Sequence, residues 1–293
     1  RHRRAAVAGE MPPKDEGSTS GLQTVGNYTL LETIGNGTFG EVMLAVERHT
    51  RESVAVKILE KDKIVDEDAR TRLMNEIAIL HRVQHPKVLH LLEVVESVDA
   101  IYLITEYVAG GELFQYIVQH GRLEEAEAVK LFSQLVAAVD SCHRSHVIHR
   151  DLKPENVIVD PAGTPVLLDF GLARELDSET RLTRTGETLG TPAYMAPEQV
   201  DRRVGGEFDE RTDVYGLGAI LYACLQGRPP FQGPTVLALL SAVLEEDPAP
   251  LACDPALARI CSAALAKDPA ARPASASELA RELAQLKRDR PDR

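Results

Sequence analysis

Short segments of alternating apolar and polar residues occur between residues 28 and 106. Such alternation, in segments rich in Val, Ile, Tyr and Thr, predicts β-strands with one buried face. The predicted strands are 28–34, 41–47, 53–59, 88–97 and 100–106. Because these segments follow one another closely along the chain, the pattern predicts an antiparallel sheet.

Apolar residues at helical spacing form a second kind of segment. One of them, 66–83, interrupts the strands, and the others follow Gly110 and Gly111. The later predicted helices are 124–146, 211–226, 255–266 and 274–287. The segment 211–226 is apolar on nearly all sides, which is typical of a helix buried at the centre of a domain. A strand-rich part followed by a helical part predicts an α+β fold with two lobes.

The composition narrows the class of protein. The chain has 293 residues, and 33 basic against 45 acidic side chains give a net charge of −12. This balance argues against a nucleic-acid binder, because affinity for phosphate backbones comes from clustered Lys and Arg. No apolar run approaches the roughly 18 residues that a membrane-spanning helix needs, so we expect no membrane segment in this chain. The four cysteines lie far apart, which favours a reducing, cytoplasmic location.

The two ends of the chain lack such patterns. Residues 1–27 are rich in Gly, Pro, Ser, Thr and charge, so they cannot bury enough apolar surface to fold, and we predict a disordered tail or linker there. Residues 287–293 are predicted to form a C-terminal tail. Because the chain begins with Arg and not with Met, we expect it to be part of a longer protein.

A glycine-rich segment joins the first two predicted strands. It reads Gly35-Asn36-Gly37-Thr38-Phe39-Gly40-Glu41-Val42, which is the pattern G-x-G-x-x-G-x-V. Glycine allows backbone N–H groups to approach phosphates that a side chain would obstruct. Taken alone, such a segment is more often an ordinary hairpin. A Walker loop and a Rossmann fingerprint both fit poorly, since no Lys-Ser/Thr pair follows and the next element is a predicted strand.

Lys57 lies within the otherwise apolar strand 53–59. By itself it is explained as a residue that faces solvent, just as Glu76 in the segment 66–83 is explained as a solvated helix charge. Beside a glycine-rich loop, a lysine and a helical glutamate form the pair that holds the α and β phosphates of a nucleotide. Only this combination favours the functional interpretation.

The strongest chemical signal is a pair of motifs in the middle of the chain. They read His149-Arg150-Asp151-Leu152-Lys153-Pro154-Glu155-Asn156 and Asp169-Phe170-Gly171. Phosphoryl transfer requires a carboxylate for the proton of the attacking hydroxyl, a cation near the γ-phosphate and oxygen ligands for Mg²⁺. Asp151 and Lys153 supply the first two, and Asn156 and Asp169 supply the metal ligands. A charged turn between hairpin strands, the alternative, does not account for both motifs in this order.

These motifs resemble those of the eukaryotic-type serine/threonine protein kinase superfamily, and the resemblance covers about residues 28–286. It implies the bilobal protein kinase fold, with a small antiparallel-sheet N-lobe and one regulatory helix at 28–106. A hinge at 106–110 and a larger helical C-lobe at 111–286 would follow. The segment 190–198, GTPAYMAPE, resembles the substrate segment of serine/threonine-specific members. It disfavours tyrosine kinases and small-molecule phosphotransferases.

The resemblance also implies roles for residues outside the two motifs. Thr105 would guard the back of the adenine pocket, and Glu112 would reach the ribose or a basic substrate residue. The residues that would contact ATP, besides the glycine-rich segment and Lys57, are Ile34, Val42, Ala55, Thr105, Glu106, Val108, Glu112 and Ile158. The residues that would hold the substrate segment and the catalytic loop are Thr191, Glu198, Asp213 and Arg272.

Regulation by phosphorylation is implied by Arg150, which places a permanent cation beside Asp151. In kinases of this form a phosphorylated loop residue pairs with that arginine. The candidate sites are Thr183, Thr185 and Thr188. Threonines that are merely exposed in a polar loop are the alternative.

The resemblance differs between the two halves of the chain. The first half is similar to the calcium/calmodulin-dependent and AMP-activated kinase group, whereas the second is similar to bacterial serine/threonine kinases. Tyr215, where many eukaryotic members place Trp, fits the bacterial pattern. A divergent lineage and a mosaic of two lineages both remain open.

The expected function is transfer of phosphate from ATP, with Mg²⁺ or Mn²⁺, to Ser or Thr hydroxyls of proteins, including proteins with basic motifs. A catalytically weak pseudokinase that serves as a nucleotide-binding scaffold is the alternative. Such a protein typically lacks Lys57, Asp151 or Asp169, and all three are present. The sequence does not indicate the oligomeric state.

Overall fold

A computed structural model describes residues 23–37, 40–64, 67–168, 191–205 and 208–289. These residues form two compact units. The first contains the described parts of 1–65 and 91–109, and the second contains the described parts of 66–90 and 110–293. The predicted tail lies outside the described residues up to residue 22.

The first unit is a six-stranded antiparallel sheet with the strand order β1-β2-β3-β4-β6-β5. Its strands are β1 Thr24–Val25, β2 Tyr28–Gly37, β3 Gly40–Glu47, β4 Ser53–Glu60, β5 Leu91–Glu96 and β6 Ala100–Glu106. The five predicted strands are present. The structure also contains β1, which lies within the predicted tail and pairs with β2. The sequence did not predict β1, because two residues are too few to produce a detectable alternation.

One face of this sheet carries the apolar core of the first unit. Val54 and Val56 of β4 are buried and pack with residues from the neighbouring strands: Leu30, Ala45 and Ile104. Since successive side chains of a strand point to opposite faces, Ala55 and Lys57 lie on the other face. The alternation in the sequence therefore distinguishes the face of the sheet that packs in the core from the face that carries Lys57.

The strand predicted at 88–97 begins later, at Leu91. Leu89 N donates to Leu167 O at 2.9 Å and Leu167 N donates to Lys87 O at 2.8 Å, so this stretch pairs with the second unit. The sequence pattern does not show that residues 88–90 and β5 pair with different strands, because both pairings bury apolar side chains.

The second unit is mainly helical. Its helices are α1 Glu67–Arg82, α2 Leu113–His120, α3 Glu125–Arg144, α4 Pro197–Val200, α5 Glu210–Gln226, α6 Val236–Glu245, α7 Pro255–Ala264 and α8 Ala276–Asp289. A three-stranded sheet consists of β7 Gly111–Glu112, β8 Val157–Val159 and β9 Pro165–Leu167. Helices α2, α4 and α6 were not predicted, and α8 continues past residue 287, where a tail was predicted. No described helix is long and apolar enough to span a membrane.

Helix α5 is the buried centre of the second unit, as its apolar pattern predicts. All of its residues from Thr212 to Leu225 are buried. Asp209 caps its first turn by accepting from Arg211 N at 2.8 Å, and Gly227 ends it in the left-handed region with φ 70°. A Cβ atom on Gly216 would lie 2.8 Å from the Cβ of Leu152, so the segment around Leu152 lies directly on this helix.

Candidate active site

The glycine-rich segment forms the end of the β2–β3 hairpin. Gly35 lies opposite Val42 and Gly37 lies opposite Gly40. A Cβ atom on Gly40 would overlap the carbonyl oxygen of Ile58 on β4, so only glycine allows this approach of the two backbones. Thr38 and Phe39 lie outside the described residues.

The variant Gly40→Ala should therefore be less stable than the wild type. We expect the free energy of unfolding to fall by about 1–3 kcal/mol, because β3 must move away from β4 to admit the methyl group. Denaturant unfolding measures the change. Gly35→Ala is the matched control, since its Cβ would meet the nearest atom, Val42 Cβ, at an ordinary 3.8 Å. Equal losses in the two variants would contradict the prediction.

Four predicted ATP-site residues share one face of the first sheet. Val42 on β3 pairs with Lys57 on β4, and Ala55 pairs with Thr105 on β6. Directly paired residues of antiparallel strands point to the same side, so these side chains lie on the face opposite the core. Thr105 is buried, and Lys57 and Ala55 are half-buried.

The other predicted contacts are distributed over both units. In the first unit, Ile34 lies exposed on β2, Glu106 ends β6 and Val108 follows it. In the second unit, Glu112 on β7 pairs with Ile158 on β8. Gly110 precedes them, and a Cβ atom there would overlap the carbonyl oxygen of Val159. Glu76 lies in α1, and Thr191 begins a 3₁₀ turn that ends at Tyr194.

The second unit brings Asp151, Lys153 and Asn156 together. Lys153 Nζ lies 3.0 Å from Asp151 Oδ2, and both side chains are about 15% exposed. Asn156 Nδ2 donates to the same carboxylate oxygen at 2.9 Å and to the backbone oxygen of Asp151 at 2.8 Å. A cation and an amide therefore orient one carboxylate in a half-buried position. Asp169, the second predicted metal ligand, lies outside the described residues, as do Thr183, Thr185 and Thr188.

Asp213 of α5 holds the backbone that leads to Asp151. Its carboxylate is buried and accepts from His149 N at 2.7 Å and from Arg150 N at 2.7 Å. His143 Nε2 lies 2.9 Å from the same carboxylate, a contact that the sequence analysis did not foresee. The rigid central helix thus restrains the loop by charge-assisted hydrogen bonds, which are stronger than neutral ones.

His149 links this loop to the residue before Asp169. Its ring is fully buried, its Nδ1 accepts from Asp151 N at 3.3 Å, and its Nε2 lies 2.9 Å from Leu168 O. Because Nδ1 acts as the acceptor, the proton of the neutral ring belongs on Nε2, which donates to Leu168. The imidazole therefore ties two chain segments together.

Glu198 and Arg272 form a buried ion pair 74 residues apart in sequence. Arg272 Nη1 and Nη2 donate to the two carboxylate oxygens of Glu198 at 2.7 and 2.9 Å. Thr212 Oγ1 also donates to Glu198 at 2.9 Å, and the guanidinium lies 4.9 Å from the ring centroid of Tyr215. This cluster holds α4, which begins at the end of the predicted substrate segment, against α5.

Gln199 is a site residue that sequence reasoning missed. Its Nε2 donates to Arg150 O at 2.7 Å, and its Oε1 accepts from Ala196 N at 3.0 Å. The substrate segment 190–198 ends at Glu198, and nothing in the sequence around the following glutamine indicates a function. Only the folded chain brings it to the loop of Asp151.

Two acidic side chains lie near the same loop. Burial raises the pKa of Glu155, and the carboxylates of Glu112 and Asp151 raise it further, while Lys153 opposes them. Glu155 Oε2 is buried and has no hydrogen-bond partner among the described residues. Such a carboxylate would gain from a further cationic partner, because Lys153 and a backbone hydrogen bond compensate for its burial only in part.

The chain is similar to known proteins over most of its length. A family model described as the protein kinase domain matches residues 28–284. Sucrose non-fermenting protein kinase 1 of Fusarium virguliforme is 38% identical over 244 residues, which are 83% of this chain and 34% of the relative. CBL-interacting serine/threonine-protein kinase 8 of Arabidopsis thaliana is 41% identical over 222 residues, 76% of this chain and 49% of the relative.

A third relative, CBL-interacting protein kinase 32 of Oryza sativa subsp. japonica, is 40% identical over 228 residues, or 77% of this chain and 51% of the relative. The chain thus spans about a third to a half of the length of these relatives. The predicted resemblance and the bilobal kinase fold that it implies are confirmed by the family match. The chain belongs to the protein kinase domain family, within the eukaryotic-type serine/threonine kinase superfamily.

Proposed function

We propose that this chain is an active serine/threonine protein kinase that transfers the γ-phosphoryl group of ATP to hydroxyl groups of proteins. The observation that carries the proposal is the cluster of Asp151, Lys153 and Asn156 on a loop restrained by Asp213. A scaffold without catalysis has no need for a carboxylate oriented in this way. The kinase domain is assigned to residues 28–286.

Asp151 orients the acceptor hydroxyl and takes up its proton. Lys153, 3.0 Å from Asp151, presents a positive charge beside the group that is transferred. Most of the rate enhancement in phosphoryl transfer comes from such positioning and charge neutralisation, since no covalent intermediate is required.

The amide of Asn156 fits a role as a metal ligand. Nδ2 makes both of its hydrogen bonds to Asp151, and the other amide atom, the oxygen Oδ1, is proposed as the ligand of a cation. Oxygen is the ligand that Mg²⁺ prefers, and Asp169 is proposed as the second ligand. The divalent metal, Mg²⁺ or alternatively Mn²⁺, would neutralise charge on the phosphates.

ATP is proposed to bind at the face of the first sheet that lies opposite the apolar core and carries Ala55 and Lys57. Lys57 is proposed to contact phosphate, with Glu76 as its partner, and the glycine-rich segment 35–42 to supply backbone donors. The side chains proposed around the adenine ring are those of Ile34, Val42, Ala55, Thr105 and Ile158, and the hinge backbone at Glu106 and Val108 would bind its edge. Apolar contacts with a few polar groups are typical of such pockets.

A basic residue before the phosphoacceptor is the proposed substrate feature. Glu155, whose Oε2 lacks a hydrogen-bond partner among the described residues, and Glu112 supply the negative charge for it. The acidic balance of the chain, −12, adds a weak long-range attraction for basic substrates.

The variant Glu155→Gln should lose preference for a basic substrate. We expect kcat/KM for a peptide with Arg before the acceptor to fall about tenfold, because a charge-assisted hydrogen bond is lost, while a peptide with Ala there is little affected. Burial raises the pKa of Glu155, so this group becomes protonated at a higher pH than an exposed glutamate as the pH is lowered. The preference of the wild type for a basic substrate should therefore be lost at a correspondingly higher pH. An equal fall for both peptides would argue against this contact.

Activation by phosphorylation of Thr183 or Thr185, with Thr188 as a further candidate, is proposed for the loop. The positive charge around Arg150 supports this regulation. Burial lowers the pKa of Arg150 and the nearby Arg202 lowers it further, while Asp213 opposes them. Both guanidinium groups approach the ring of Phe208. A phosphate would relieve the repulsion between the two cations.

A cytoplasmic location is proposed from the four cysteines, none of which is in a disulfide.

Transfer of labelled phosphate from ATP with Mg²⁺ tests the proposed function. The acceptors are the chain itself and a generic basic protein, with Asp151→Asn as the inactive variant and with the modified residues mapped. Label on Ser or Thr that is absent with Asp151→Asn supports an active kinase. ATP binding without transfer, even after treatment with an upstream kinase, would favour the pseudokinase alternative.

A further inference from the structure

The peptide group that precedes Asp151 is held by a side chain to which no motif assigns a role. Gln199 Nε2 donates to the carbonyl oxygen of Arg150 at 2.7 Å. The nitrogen of this same peptide group belongs to Asp151, and it donates to His149 Nδ1 at 3.3 Å. Both polar atoms of the peptide group are thus hydrogen-bonded to side chains.

Arg150 is the residue of this loop whose backbone most needs such restraint. Its φ of 67° lies in the left-handed region, which is unfavourable for residues with a Cβ atom. Asp213 accepts from its N–H at 2.7 Å, and Gln199 donates to its carbonyl oxygen at 2.7 Å. Side chains from two helices, α5 and α4, therefore hold the strained backbone of one residue from both sides.

The other end of the Gln199 amide reaches the segment before α4. Oε1 accepts from Ala196 N at 3.0 Å, which also defines which end of the amide carries the donor. The neighbouring Glu198 is fastened by Arg272 and Thr212, so α4 is a firm support. One amide thus connects Ala196 to the peptide group between Arg150 and Asp151.

We propose that Gln199 is a positioning residue that sets the orientation of Asp151 and couples it to the segment ending at Ala196. The inference rests on the proposed kinase activity of the same site. It goes beyond capping of α4, because a capping glutamine needs only its acceptor Oε1, whereas the positioning role requires the donor Nε2.

The variant Gln199→Glu separates these two roles. It keeps an acceptor for Ala196 N, but it replaces the donor with a carboxylate oxygen that faces the carbonyl oxygen of Arg150. We expect kcat for a peptide to fall about tenfold, the effect of one lost hydrogen bond, while KM for ATP and the melting temperature stay close to wild type. Both proteins are first brought to the same phosphorylation state, as measured by mass.

The pH profile distinguishes positioning from a structural defect. Protonation gives the introduced carboxyl an O–H donor, so the ratio of variant to wild-type kcat should rise as the pH is lowered from about 8 to about 6. The ratio is the useful quantity, because effects of pH that are common to both proteins cancel in it.

Hydrogen exchange of residues 147–153 provides a readout that does not depend on catalysis. Exchange in this stretch should be faster in Gln199→Glu than in the wild type. Thr235→Ala is the control for loss of a helix cap, since Thr235 Oγ1 accepts from Ala238 N at 3.1 Å at the start of α6. It should lower the melting temperature and leave kcat and this exchange unchanged.

The outcomes separate the two proposals. Equal kcat values for Gln199→Glu and the wild type over the pH range would overturn the inference, as would a fall that is independent of pH with unchanged exchange. If the wild type itself transfers no phosphate, the proposed function fails, whereas exchange of residues 147–153 still shows whether Gln199 restrains the loop.

Discussion

Asp151→Asn should reduce phosphate transfer by at least about a hundredfold while the protein remains folded, the usual effect of removing a general base. The reason lies in the two donors that converge on Oδ2 of Asp151. Lys153 Nζ and Asn156 Nδ2 both require an acceptor there, at 3.0 and 2.9 Å. The amide of the variant must therefore direct its oxygen towards them, which places its NH₂ group where the second carboxylate oxygen was. An acceptor hydroxyl would then meet a donor.

The measurement is the turnover number for a peptide substrate, together with the melting temperature of each variant. Asp209→Asn is a matched control: Asp209 caps α5 and pairs with Arg211 at 2.7 Å, and asparagine also caps helices well. It should retain wild-type turnover. Turnover of Asp151→Asn within tenfold of the wild type would contradict the proposed role of this carboxylate.

Arg272→Met should lower the free energy of unfolding by about 3–5 kcal/mol, the largest loss of stability that we expect from a single change. The guanidinium is fully buried and donates to both oxygens of Glu198. It also donates to the carbonyl oxygens of Arg211 at 3.0 Å, Lys267 at 3.0 Å and Ala266 at 2.7 Å. Methionine fills similar space but leaves a buried carboxylate and three carbonyl groups without this donor.

Arg203→Met provides the exposed counterpart for this measurement. Arg203 also donates from Nε and Nη2 to one carboxylate, that of Asp201, but its side chain is 90% exposed. Because water replaces the lost partner, we expect the loss to be much smaller than that of Arg272→Met. Denaturant unfolding of both variants measures the difference. Similar losses for the buried and the exposed pair would show that burial does not control the energy of the Glu198–Arg272 pair.

Charge can be removed from both members of the buried pair as a further check. The double variant Arg272→Met with Glu198→Leu should regain part of the stability lost in Arg272→Met, since no uncompensated carboxylate then remains buried. A double variant that is less stable than Arg272→Met would show that packing of the guanidinium on Tyr215, at 4.9 Å, dominates over the charge.

Much of the fold followed from local pattern. The alternation at 53–59 predicts both the strand β4 and the separation of Val54 and Val56 from Lys57 across the sheet. The all-apolar segment 211–226 predicts the buried helix α5. The short elements β1 and β7 escaped prediction because two residues contain too little pattern, and α2 escaped because its exposed Phe114 and Val118 blur the apolar stripe.

The chemistry of the site was also readable in part. Asp151, Lys153 and Asn156 lie within six residues of one another, so one loop presents them together, and the protein kinase family was recognised from these motifs. The roles assigned to individual residues stay predictions until variants are measured. The similarity of the second half to bacterial kinases also stays a prediction.

The sequence by itself determined the residue types that phosphoryl transfer requires and the strands and helices that carry them, because both depend on neighbours a few positions away. Only the tertiary structure decided which side chains support them. Gln199 reaches a backbone oxygen 49 residues earlier, and Arg272 reaches Glu198 across 74 residues. Such contacts depend on how the elements around α5 pack, and local periodicity has no record of that packing.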